Sequence, residues 1–187
     1  MNPPTVVIVP GLRDHVPQHW QTLLADRLDD ARLLPPLETD RLNRHAHVAV
    51  LQRTLAQILG PVVLVAHSAG VITTVHWAAQ HHHEVRGALL ATPPDLTPPL
   101  LEGHPSPDAL HAGGWTPVPM KPLPFPASSR PAPTTPWPPT TTPQMCVPHP
   151  ATPARSKRQA LGPVGHLNPA SGYGTWERAE EFVRELS

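Results

Sequence analysis

The sequence has one cysteine, Cys146, which excludes an internal disulfide framework and fits a reducing, cytoplasmic setting. It has no long apolar run, and none approaches the roughly 18 residues that a membrane span needs. It has no net charge: 14 Lys and Arg balance 14 Asp and Glu, so neither nucleic acid nor an anionic membrane is expected as a partner. The start, Met1-Asn2-Pro3-Pro4-Thr5, lacks the basic n-region of a secretory signal. A further lack is local, since no Asp or Glu occurs between Asp108 and Glu177. Any chemistry in that stretch must do without a carboxylate.

What is present divides the chain unevenly. Its 187 residues suit one domain with a real core. Proline is abundant, and 20 of the 29 prolines lie between Pro93 and Pro153, so the flanks must be read apart from the middle. Val6-Val7-Ile8-Val9, Val62-Val63-Leu64-Val65 and Gly87-Ala88-Leu89-Leu90-Ala91 are short, continuous apolar runs, the pattern of strands buried on both faces. Ala31 to Leu34 suggests a fourth short strand. Between them, Trp20, Leu23, Leu24 and Leu28 recur at helical spacing, as do Val48, Leu51, Leu55, Ile58 and Leu59, and then Val71, Ile72, Val75 and Ala78. Trp176, Ala179, Phe182, Val183 and Leu186 mark a last helix. Strands alternating with helices predict an α/β fold with right-handed crossovers and a parallel sheet.

The middle breaks this rhythm. Residues 93–127 read as a proline-rich, lid-like loop. Residues 128–160 have neither a period of 2 nor of 3.6, so an irregular segment is expected in place of a late strand–helix unit.

Two residues stand out as chemistry-bearing. In Val65-Ala66-His67-Ser68-Ala69-Gly70-Val71 a buried strand runs into a serine between small residues, and a helix begins at once. That context lifts a serine hydroxyl above the sheet edge and makes Ser68 a candidate nucleophile. The Ala69 amide, at the helix start, would then face a developing oxyanion. The same serine would also suit a plain helix N-cap. Val9-Pro10-Gly11-Leu12 offers a second amide, that of Leu12, after the first strand. The second residue is His166, in the glycine-flanked Gly162-Pro163-Val164-Gly165-His166-Leu167-Asn168. It lies late in the chain, before the last helix, where a general base following Ser68 is expected. Being a histidine proves little among 13. His67 reads as a support for the turn. His81-His82-His83 reads as a solvated helix end, since adjacent helical residues cannot all face one ion. No metal and no cofactor are expected.

Val9-Pro10-Gly11, His19-Trp20-Gln21, Ala66-His67-Ser68-Ala69-Gly70, the His166 segment, and Ser171-Gly172-Tyr173-Gly174 with Trp176 together resemble the small serine-hydrolase family that includes the YdeN-like bacterial proteins and the retinoblastoma-binding-protein-like hydrolases of animals. The resemblance covers about residues 5–127 and 161–187. It implies a single α/β-hydrolase domain, a Ser-His-Asp triad, and esterase-like action on a small-molecule acyl substrate. It leaves the natural substrate and the oligomeric state open. The family's triad aspartate follows a strand after the lid, and here that place holds the carboxylate-free stretch. Asp95, after the third apolar run, is the nearest substitute acid, and Asp108 is another.

Two readings of residues 128–160 follow. One is a genuine low-complexity insert, disordered by composition. The other is a stretch read in a shifted frame: Pro133-Thr134-Thr135-Pro136-Trp137-Pro138 can be encoded so that the moved frame reads Asp-Asp-Pro-Leu-Ala, the missing family turn. The DNA reading frame across residues 125–162 separates them. The enzyme is expected either to be impaired by loss of the acid or to survive as a non-catalytic protein that keeps the pocket.

Overall fold

The structure is a computed structural model that describes residues 3–96, 104–130 and 166–187. Its element order is β1 (Thr5–Val9), α1 (Trp20–Ala25), β2 (Ala31–Leu33), α2 (Arg44–Ala56), β3 (Val62–His67), α3 (Ala69–Ala78), β4 (Val85–Ala91), α4 (Pro107–Ala112), β5 (Ala127–Arg130) and α5 (Glu177–Leu186). The five strands form one sheet in the order β2-β1-β3-β4-β5, and every pairing is parallel.

The continuous apolar runs bury both faces of the sheet, as the strand pattern predicts. Val7, Val9, Leu64, Ala66 and Leu90 pack with Val48, Leu51 and Leu55 of α2 and Val71, Val75 and Trp77 of α3. Alternate residues Val6, Ile8, Val63, Val65 and Leu89 pack on the other face with Trp20 and Leu24 of α1 and Ala179, Phe182 and Val183 of α5. The period of 2 along each strand thus sorts side chains between two helical layers. Helix starts follow their caps. Asn43 accepts from the amides of His45 and Ala46 at the start of α2, and Ser106 accepts from Ala109 ahead of Pro107 in α4.

Two expectations for the middle of the chain change. The described part of the 93–127 stretch is not simply a loop. It contains α4 and buries Leu110, Trp115, Leu123 and Phe125, and Trp115 Nε1 donates to Leu42 O at 2.6 Å. The proline spacing hid this, because these side chains are pinned singly rather than at a regular period. The irregular 128–160 segment also begins with structure, since Ala127–Arg130 is β5, paired with β4 from Ala88↔Ala127 to Ala91↔Arg130. Backbone hydrogen bonds to β4 make this pairing, which needs no pattern in the side chains. The rest of that segment, and with it both the insert and shifted-frame readings, lies outside the described residues.

The sheet order sets where a site can form. From β1 the chain moves to β2 on one side, then crosses back to β3 on the other. Loops leaving the carboxyl ends of β1 and β3 therefore diverge and open a crevice between them. Leu12 follows β1, and Ser68 follows β3.

Candidate active site

Ser68 sits at the kink between β3 and α3 with φ 54° and ψ −124°, a backbone conformation that non-glycine residues rarely adopt. Such a residue costs on the order of 1–3 kcal/mol and persists only where its surroundings over-determine it. They do so here. The Ser68 amide donates to Ala91 O at the end of β4 at 3.0 Å, and Ser68 O accepts from the Val71 amide at 2.9 Å. Gly70 lies so close to β1 that an added Cβ would meet Val9 O at 2.3 Å and Pro10 O at 2.5 Å. Gly11 abuts the serine in turn: a Cβ there would stand 3.3 Å from Ser68 Cβ. The small residues around Ser68 are thus a packing requirement of the kink.

His166 reaches this point from 98 residues downstream, and its Nε2 lies 2.9 Å from Ser68 Oγ. The two residues singled out in the sequence are therefore in direct hydrogen-bond contact. The main chain of His166 is held on both sides. Its N–H donates to Ser171 Oγ at 3.2 Å, and its carbonyl accepts from His67 Nε2 at 2.8 Å. Ser171 is fixed in turn by Asn168 Oδ1, which accepts from both its amide and its hydroxyl. Leu167 adopts φ 52° and is wholly buried in the core face shared by α1 and α5. Burial of that one side chain plugs the loop into the sheet.

The electrostatics keep these imidazoles neutral. Burial lowers the His166 pKa below its usual 6.5, and electrostatic repulsion from His104 and Arg13 lowers it further. Burial pushes His67 down to about 3, outweighing the opposite effect of its bond to His166 O. Burial, with His166 and His15 nearby, takes His19 to about 4. The His19 and His67 rings lie 4.6 Å apart and the His67 and His166 rings 4.9 Å apart.

No carboxylate bonds to His166 among the described residues, and none is among the charges that shift it. Asp95, the expected substitute acid, is exposed beyond β4 and does not pair with His166 among the described residues. Asp108 lies exposed in the first turn of α4, where it complements the helix N-terminus.

Ala69 opens α3, so its amide has no intrahelical acceptor. Leu12 follows Gly11 directly, beside Ser68. Leu12, Leu42, Leu96 and Val118 pack against a cluster of Ala69, Ile72, Leu110 and Trp115, an apolar wall that adjoins both amide positions. Sequence reasoning missed the roles of Ser171, Asn168 and Gln21. Buried Gln21 donates through Nε2 to Val9 O at 3.1 Å and Val65 O at 2.9 Å, tying together the ends of β1 and β3. The His19-Trp20-Gln21 motif marked that position without revealing its partners. The His81-His82-His83 run lies past the end of α3, and His83 Nε2 pairs with Gly60 O. Among the described residues no group of three or more His, Cys, Asp or Glu could hold a metal, and no helix is long and apolar enough to cross a membrane.

The sequence profile described as serine hydrolase matches residues 6–185. Among solved structures, a YdeN-like hydrolase from Pectobacterium atrosepticum is similar at 24% identity and a TM-score of 0.69, covering 97% of this chain and 91% of its own. The ydeN gene product from B. subtilis is similar at 13% identity and a TM-score of 0.67, covering 98% of each chain. These likenesses show the shared fold. No curated protein sequence shows significant similarity to the chain.

Proposed function

The chain belongs to the serine hydrolase family, and from that premise we propose that it hydrolyses small acyl esters, with Ser68 as nucleophile and His166 as general base. The observation that carries this reading is the 2.9 Å contact between Ser68 Oγ and His166 Nε2. Neutral His166 Nε2 accepts the Ser68 hydroxyl proton as Oγ attacks the ester carbonyl carbon. The carbonyl π electrons move onto oxygen, and the amides of Ala69 and Leu12 donate to that oxyanion. Collapse of the tetrahedral species expels the alcohol, which leaves with the proton from His166. Water then attacks the acyl-enzyme by the same route and frees Ser68. Each oxyanion donor is worth about 10²–10³ in rate.

The weak point is the acid. Among the described residues no carboxylate stands beside His166 to stabilise the imidazolium formed there, and Arg13 nearby opposes that charge. Replacing the triad acid of a serine protease lowers turnover by about 10⁴. Turnover here is reduced on that scale. The absence of a carboxylate beside His166 among the described residues also favours a second reading, a protein that binds acyl compounds at this site without turning them over.

Hydrolysis of p-nitrophenyl acetate by the full chain separates the two. The first reading expects slow turnover that Ser68→Ala abolishes. Turnover that persists in Ser68→Ala, or a folded protein with none, counts against it.

A further inference from the structure

We propose that His67 is a positioning residue: by donating its Nε2–H to the carbonyl of His166, it latches the loop that carries the His166 ring to Ser68. The proposal rests on the serine-hydrolase reading above and deepens it.

His67 is the last residue of β3 and is 5% exposed. Its ring is packed edge-on to His19 at 4.6 Å and to Trp20 at 6.1 Å, so it has little room to rotate. The bond to His166 O is 2.8 Å long and joins residues 99 apart. Since a carbonyl can only accept, the proton is on His67 Nε2. Burial keeps the ring neutral, so the donor and its tautomer do not change in the working pH range.

The latch references both reacting side chains to one rigid point. Ser68 is the residue after His67 and is fixed by the end of β3. His166 is tied to that same strand end through its carbonyl, while Ser171 Oγ holds its N–H at 3.2 Å. Among the described residues the His166 ring itself bonds only to Ser68, and the ties at its carbonyl and N–H hold the backbone that carries it. Buried Leu167 anchors the loop separately. Cutting the latch should therefore loosen the alignment of His166 without unfolding the loop.

His67→Phe keeps the ring and removes the donor. His67→Gln restores an N–H the same number of bonds from the backbone. The latch predicts that H67F lowers kcat for p-nitrophenyl acetate by roughly 10- to 100-fold with KM little changed, because misplacement of a reacting group acts on the chemical step. It predicts that H67Q recovers kcat to within about tenfold of wild type, the scale of one hydrogen bond. NMR of the full chain labelled with ¹⁵N in its histidine rings provides a reading that needs no turnover. Wild-type His67 should show a protonated Nε2 and a bare Nδ1 at neutral pH, and the His166 ring signals should move in H67F and return in H67Q. The proposal is overturned if wild-type His67 is protonated on Nδ1, if His166 signals stay in place in folded H67F, or if H67F and H67Q lose kcat equally. Wild-type protein without Ser68-dependent turnover would count against the hydrolase reading instead, and the ring signals would then decide the latch by themselves.

Discussion

At the scale of the residue, the site depends on a serine held in a conformation it would not choose. Gly70 makes that possible, because only the absence of a Cβ lets α3 start within reach of Val9 O and Pro10 O. Gly70→Ala should lower stability by about 1–3 kcal/mol, the usual cost of overpacking, read as a shift in the urea midpoint. His166 makes a pH prediction. Its pKa lies below 6.5, through burial first and then through His104 and Arg13, and the base must be neutral to accept a proton. The acid limb of kcat/KM should therefore lie below pH 6.5, with activity retained at 6.5 itself. Ser68 and His166 were legible in the sequence because each carries a local signature: a strand-to-helix serine among small residues, and a late histidine in a glycine-flanked loop. The partner of His67 was not legible, because it is a main-chain carbonyl 99 residues away and has no residue type to recognise.

At the scale of the element, the ends of β1 and β3 beside the crevice are tied by a side chain of α1 as well as by their own pairing. Gln21 donates to Val9 O and Val65 O with one buried amide group. Gln21→Leu keeps much of the volume but leaves both carbonyls without that donor. It should cost about 1–3 kcal/mol for each carbonyl left unsatisfied, visible as a lower melting temperature. Strands β1, β3 and β4 could be read directly, because burial on both faces demands unbroken apolar runs. Strand β5 could not: Ala127-Ser128-Ser129-Arg130 has no such run, and its pairing with β4 is made through the backbone. Helix α4 was hidden for a related reason, being six residues long with Leu110 as its one buried residue.

At the scale of the whole molecule, four histidines whose pKa burial lowers, His19, His67, His76 and His166, make the fold sensitive to acid, His67 and His19 most strongly. His67 titrates at about 3 and His19 at about 4 in the folded chain, against 6.5 when unfolded. Above pH 6.5 these rings are neutral in both states and their titration does not affect stability. Below 6.5 the unfolded chain takes up protons that the folded chain refuses, so stability falls with pH until about 4 for His19 and about 3 for His67. The slope from His67 alone is up to about 1.4 kcal/mol per pH unit. Urea midpoints measured from pH 7.5 to 4.5 should be flat above 6.5 and decline below it, and His67→Gln should flatten that decline. The central claim, that His166 activates the Ser68 hydroxyl, is tested most directly by the rate at which a fluorophosphonate probe forms an adduct on Ser68, mapped by mass spectrometry in wild type and in His166→Ala. The account predicts a slow adduct on Ser68 in wild type and a further drop of at least about 10²-fold without the base. Equal rates in the two proteins, or an adduct on any other residue alone, would contradict it.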